Sequence, residues 1–239
     1  MKTVQHFVKA KAGFMALVCF ITVSLSSCLK DHHDVTPLPP SATVSVINAL
    51  PGSQLVDAYF DQNLATKYSL NYGSNQDYIG AITGKRTITF YASNSKQKIQ
   101  SDTITLQGYK NYSVYLTGTT TQPEIFITKD EVVRPDAGKA MVRLVNVSVN
   151  APAVSLVIRN GATLATSIAY KGASSFTQVQ GGAAYTLDVV QAGTSTVLTT
   201  INNVNIRGNG VYTVWLHGLT TATDANKLTA DVQVNGFYN

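Results

Sequence analysis

From residue 41 to the C-terminus, short runs rich in Val, Ile, Thr and Tyr alternate with clusters of Gly, Asn and Ser, and no stretch carries an apolar stripe at helical spacing. Runs of five to eight such residues bounded by turn formers read as strands, because β-branched and aromatic side chains pack well on a pleated, half-buried surface. The pattern predicts an all-β body. Upstream the periodicity changes. Residues 12–23 form one apolar run, short for a bilayer span, and residues 28–40 mix charge with Pro and show no period, which predicts an extended tether.

A shift of 98–100 residues superimposes the body on itself. VSVINA at 44–49 matches VRLVNV at 142–147, and VDAYF at 56–60 matches VSLVI at 154–158. Tyr78 matches Phe176, Gly84 matches Gly182, and LQGYKNYSVYLTG at 106–118 matches IRGNGVYTVWLHG at 206–218. The charge, Pro and Gly of KDEVVRPDAGK between the copies mark a linker. The division is therefore a first domain at 41–132, a linker at 133–138 and a second domain at 139–239. Each holds about seven strands, the pattern of a β-sandwich.

In both copies an apolar residue is followed by Gly two positions on and Tyr four later: Leu106, Gly108 and Tyr112, then Ile206, Gly208 and Tyr212. This resembles the tyrosine corner of immunoglobulin-like sandwiches, in which the Tyr hydroxyl bonds back to the corner backbone. With Tyr112 and Tyr212 inward, the two-residue period places Val114, Leu116, Val214 and Leu216 on the core face. Tyr115 and Trp215 then share the outer face of the same strand and are the candidate binding surface, since aromatic faces grip sugar rings and partner side chains. The competing reading, which area burial favours, is that the neighbouring domain or a loop covers that face and buries the rings as core. Asn48 and Asn146, shared by the copies, are expected to close a turn through side-chain bonds.

The combined pattern is a first strand ending in VINA or LVNV, a turn with Pro51 or Pro152, the VDAYF-type strand, a YG element and a late Gly-Tyr strand ending in Gly. It resembles the DUF 4397 family, found often in tandem in secreted and lipid-anchored bacterial proteins. The resemblance implies architecture and location and no activity. The second copy departs from it, with Ser155 where the first has Asp57 and Lys171 inserted in the YG element.

Ahead of the apolar run stands MKTVQHFVKAK, and after it LSSC, a branched apolar residue, two small ones and Cys28. A basic start, a short apolar stretch and small residues before a cut describe a secretory signal. LSSC resembles the bacterial lipobox, which implies cleavage after residue 27 and a lipid on Cys28. Lys30 with Asp31 resembles the charged signals just after the cysteine that send lipoproteins of some Gram-negative bacteria to the outer surface, which implies anchoring at the outer membrane or cell surface of such a bacterium. Three acyl chains hold a protein where one holds only marginally. Cys19 leaves with the leader, so the mature chain has no free thiol and no disulfide. Removing Lys2, Lys9 and Lys11 leaves 15 basic against 13 acidic residues, scattered singly, which excludes nucleic acid as a partner.

Chemistry is scarce. The mature chain has three His and two Glu, with no nucleophile elbow, phosphate loop or zinc spacing, so no enzyme and no cofactor are expected. Asp57 and Asp61 are the nearest thing to a glycosidase pair, with Asp77 as a third carboxylate, and they read as a solvated strand edge. Asp31, His32, His33 and Asp34 have metal-ligand chemistry without a rigid second shell. The sequence thus predicts a lipid-anchored, non-catalytic binding or adhesion module for a glycan or protein. The alternative is a fimbria-like subunit assembling by strand exchange, with the alternating run at 228–239 as the exchanged strand. A carbohydrate-active enzyme ranks third.

Overall fold

The computed structural model describes residues 40–131 and 133–238, and within them the alternating pattern becomes seventeen strands in four sheets with no helix. The first repeat comprises β1 (Ser41–Asn48), β2 (Val56–Phe60), β3 (Asn63–Leu64), β4 (Ser74–Ile82), β5 (Gly84–Ala92), β6 (Lys98–Leu106), β7 (Asn111–Gly118) and β8 (Pro123–Asp130). They stack as two sheets, ordered β4-β1-β7-β8 and β3-β2-β5-β6. The second repeat comprises β9 (Lys139–Asn146), β10 (Val154–Ile158), β11 (Thr163–Ile168), β12 (Gly172–Ala173), β13 (Thr177–Gln180), β14 (Ala183–Gln191), β15 (Val197–Ile206), β16 (Gly210–His217) and β17 (Thr229–Phe237). Its sheets are β9-β16-β17, edged by β12 and β13, and β11-β10-β14-β15. Two strands more than seven arise in the second copy because its edge strand is split into β12 and β13 just after the extra Lys171, and because β11 is a separate strand.

The same device builds both sandwiches. The first strand pairs parallel with the seventh-type strand, β1 with β7 and β9 with β16, so a long excursion must return the chain to the starting edge. Inward side chains of the two sheets then make one core per repeat. Val44, Val46, Phe90, Val114 and Leu116 are buried in the first, and Val142, Leu144, Leu156, Val214 and Leu216 in the second. Asn48 and Asn146, both 0% exposed, close the turn after the first strand. Asn48 donates to Leu70 O (3.2 Å) and accepts from Leu50 N, and Asn146 donates to Ile168 O (3.1 Å) and accepts from Ser148 N. Gly118 and Gly218 end the late strands at φ +86° and +87°. A Cβ at either position would stand 2.3 Å from a carbonyl oxygen, of Gln122 or Lys227, so no other residue fits.

Residues 39–239 are one compact unit, because the two sandwiches press their β1/β7 and β9/β16 sheets face to face. β8 of the first meets β9, and β17 of the second meets β1 and β4. Asp130 on β8 meets Arg143 on β9, while Gln233 on β17 donates to Ser45 Oγ (2.7 Å) and Asn235 donates to Tyr78 Oη (2.7 Å). The corner loops around Gly108 and Gly208 lie together at the linker end of the unit. At the opposite end Gly52 N donates to Asn226 Oδ1 (2.7 Å).

The run at 228–239 is not free for exchange. As β17 it pairs with β16 from Gly210 to His217 and reaches across to the first sandwich through Gln233 and Asn235.

Candidate functional site

Cys28 and the Asp31, His32, His33, Asp34 cluster lie outside the described residues. Among the described residues no group of three or more His, Cys, Asp or Glu is placed to hold a metal. The two corner tyrosines are inside. Tyr112 Oη accepts from Gln107 N (3.1 Å) and Tyr212 Oη from Arg207 N (2.9 Å), each five residues back, so each ring pins the loop it follows.

Tyr115 and Trp215 are not a surface. They are 0% and 1% exposed, because the outer face of each late strand is the inner face of the sandwich-to-sandwich interface. Their ring centroids lie 6.4 Å apart, among Ile47, Val145, Val147 and Phe126. Trp215 also stacks on His217 (4.2 Å, 22°), whose two ring nitrogens are taken by Asp231 (2.7 Å) and Tyr72 (2.9 Å). The aromatic platform therefore corrects to an apolar seal between copies. Tyr115 Oη is buried without a hydrogen-bond partner, and burial pushes its ionisation up.

The carboxylates are also kept apart. Burial pushes the Asp57 carboxyl up, but bonds from Lys96 (2.7 Å), Ser69 (2.6 Å) and Ser93 outweigh this and hold it below the usual range. Asp61 lies beyond the other end of β2, about 13 Å of extended chain away, where it accepts from Arg86 (3.3 Å) and Thr87 N (3.0 Å). Asp77 is exposed and accepts from Asn75. In the second sandwich Arg159 takes over this role with Asp188 (2.7 and 2.9 Å), and its bonds hold that carboxyl low. Asp57, Asp61, Asp77 and Asp188 thus each have their own partners, and the sequence-predicted pair Asp57 and Asp61 does not meet across a cleft.

Among several surface depressions of similar size, one of about 390 Å³ is a groove at an edge of the first copy, between β3 on one sheet and β4 on the other. Phe60, Leu64, Ala65, Ile79 and Ala81 line it, Ile82 stands at its end, and the Arg86–Asp61 pair closes its rim. The matching edge of the second copy shows why it is open. There β11 runs six residues, Leu164 enters the core at 6% exposure beside Val179 (7%), and Thr177 Oγ1 donates to Leu164 O (2.9 Å), stitching the two sheets. In the first copy β3 is only two residues long and Leu64 of the shared Leu-Ala-Thr triplet is 55% exposed. Ala58 and Ala81 replace Leu156 and Val179, and Ile79, which has no hydroxyl, replaces Thr177. β4 pairs only with β1, so its outer edge offers backbone groups along the groove.

A comparison with family models gives one match. The chain carries a DUF4397 domain, a domain of unknown function, at residues 42–157. The DUF4397 match takes in all eight strands of the first sandwich and runs through the linker into β9 and β10. The groove thus lies wholly inside it. No curated protein matches the chain. Among solved structures, the chain is similar to CBMbc, a family CBM26 module of Amy13K from Eubacterium rectale in complex with maltoheptaose. That likeness is 8% identity and a TM-score of 0.27, over 81% of this chain and 96% of the other. It is also similar to DUF1812 proteins of Bacteroides thetaiotaomicron, assigned provisionally to polysaccharide binding, at 10% identity, TM-score 0.25, over 82% and 96%. At those values neither protein's ligand passes to this one.

Proposed function

We propose that this protein is a non-catalytic binding module of the cell envelope, held through a lipid on Cys28, whose first sandwich takes an extended polypeptide segment of a partner into the open-edge groove. The observation that carries the reading is the contrast between Leu64, 55% exposed, and Leu164, 6% exposed. In support, the second copy keeps that edge filled: β11 pairs with β10 and seats Leu164 in the core, with Thr177 of β13 bonded to the Leu164 carbonyl. A partner strand adding to β4 would pair its backbone with the unpaired edge and seat one apolar side chain among Phe60, Ile79 and Ala81, the arrangement of β-augmentation. The anchoring part rests on LSSC at 25–28.

The probe is a synthetic peptide of residues 161–170, GATLATSIAY, the segment that fills the equivalent edge of the second copy. Titrated into the isotope-labelled body, it should shift resonances of Ile79, Gly80 and Ile82, and a Leu164→Asp peptide should not. Ala65 is half-buried in the lining of the groove, so Ala65→Trp puts a ring into it and should abolish the shifts. Peptide binding that ignores Ala65→Trp, or no binding, overturns the reading. Glycan-array binding lost in Ala65→Trp would put a glycan in the groove instead. For the anchor, Cys28→Ala should abolish metabolic incorporation of labelled palmitate and release the protein from membranes.

A further inference from the structure

We propose that the corner end of the two-sandwich body is a docking surface for an anionic lipid bilayer. Of the large apolar side chains that are exposed, Ile82 (68%), Tyr109 (85%), Val133 (59%) and Phe237 (46%) gather at this end. Ser41 joins the first two, pairing with Ile82 and accepting from Tyr109 N (2.9 Å). Tyr109 and Val133 wall a depression of about 210 Å³ with Lys110 and Lys129. Phe237 stands at the second corner beneath the Arg207 guanidinium (4.8 Å).

Tyr109 serves no core. It sits at φ +60° at the tip of the first corner, where the second copy has Asn209 at the same angle, a residue that adopts left-handed backbone readily. A strained position that holds a ring out at 85% exposure points outward to a function. A ring with an apolar body and a polar tip settles at the headgroup level of a bilayer.

Charge complements the apolar tips. Lys85, Lys110, Lys129, Arg134, Lys139 and Arg207 surround them, against the exposed acids Asp136 and Glu131, the latter paired with Lys129 (3.7 Å). Asp61 and Asp130 are taken up by Arg86 and Arg143. Cations beside a bilayer are attracted by anionic headgroups within a Debye length.

The first described residue, Pro40, is also at this end, packed where a Cβ on Gly108 would touch it at 2.7 Å. Twelve residues back to Cys28 reach at most about 40 Å, so an anchored body samples the surface with this end foremost. That last step rests on the anchoring reading; the surface itself does not.

The experiment replaces the lipid so that the two can fail separately. The body from residue 40, whose cores are complete within it and which has no Cys, is held by an N-terminal polyhistidine tag on vesicles containing a nickel-chelating lipid. An environment-sensitive fluorophore is placed at Ala137→Cys, at the corner end, or at Thr120→Cys, at the opposite end. On phosphatidylglycerol vesicles the label at 137 should shift to the blue and be quenched by lipid-borne nitroxide, while the label at 120 stays as in buffer. Tyr109→Asp should reduce the quenching at 137, and Lys110→Glu with Lys129→Glu should lower the docked-to-undocked ratio by at least about fivefold per site. Equal responses at 137 and 120, or quenching indifferent to these substitutions, overturn the proposal. A blue shift at 137 without vesicles, accompanied by a doubled mass in light scattering, assigns the end to contact between copies and overturns it as well.

Discussion

Replacing Asp130 with Ala should cost more than any other single polar substitution in the body. Asp130 is 3% exposed and accepts from Tyr78 Oη (2.5 Å), Ser113 Oγ (2.7 Å), Thr128 Oγ1 (2.8 Å) and the guanidinium of Arg143. Arg143 is also 3% exposed and comes from the other sandwich, so the network crosses the interface. In Asp130→Ala the Arg143 cation keeps Thr213 (2.9 Å), Thr128 (3.5 Å) and the face of Phe176 (4.8 Å), with no anion. An uncompensated buried charge costs about 3–5 kcal/mol. At about 2–4 °C per kcal/mol for a body of this size, Tm should fall by about 6–20 °C.

The converse change is milder, because after Arg143→Met the carboxylate still accepts three hydroxyl bonds. Asp130→Ala together with Arg143→Met removes both charges, so its loss should fall short of the sum of the single losses by about 2 kcal/mol. Denaturant unfolding of the four proteins measures the cycle. A single loss below about 1 kcal/mol, or strict additivity, would refute the view that this buried pair ties the sandwiches together.

Tyr115→Phe removes a buried hydroxyl that has no partner, so it should hold or raise stability by up to about 1–2 kcal/mol, whereas Trp215→Ala opens the same seal and should cost about 3–5 kcal/mol; thermal melts of the two decide. Asp57 and Asp188 sit below their ordinary value when folded, so their contribution is complete above the unfolded value of about 3.9 and is lost as pH falls through the lowered folded values. Tm should therefore drop between about pH 5 and pH 3, and Asp57→Asn with Asp188→Asn should flatten the drop; an unchanged slope would remove these pairs from the acid response. Gly218→Ala forces a Cβ to within 2.3 Å of Lys227 O at φ +87° and should cost more than about 1 kcal/mol, while Gly80→Ala, with open space around it, should cost far less by the same denaturation assay.

What could be read ahead of the structure was whatever a local spacing encodes. The two-residue period put Tyr112, Val114 and Leu116 on the core face, and the six-residue interval from Leu106 to Tyr112 marked the corner. The period assigned Tyr115 and Trp215 to one shared outer face but carries no information on what lies against that face. A better signal was present in their company: Ser45, Ser113 and Arg143 alternate with apolar residues on those same faces, a polar network too regular for an idle surface. The groove was hidden for the opposite reason. Leu64 and Leu164 stand in the same Leu-Ala-Thr triplet, and what separates them is the length of the chain on either side. Gly161, Ala162 and Thr163 precede the second triplet where Asn63 alone precedes the first, and Lys67 and Tyr68 follow the first only. Three-dimensional register turns that small difference into an inward or an outward leucine.

That difference also accounts for how two copies share one body. Both sandwiches must give one sheet face to the interface, so neither can use its β1/β7-type face for a ligand. The remaining freedom lies at the edges and ends. In the second copy the edge is plugged by its own β11, and Leu156, Leu164 and Val179 complete a closed core. In the first the same edge is lined by Ala58, Ala65 and Ala81, Phe90 pairs with Ala58 where Val189 pairs with Leu156 in the second, and its leucine is turned out. On the proposed reading, a strand arriving from a partner fills the edge that β11 fills in the second copy. The closed copy, joined through Asp130 and Arg143, then holds the open one in a fixed orientation, with Ile82 standing where the groove meets the corner end.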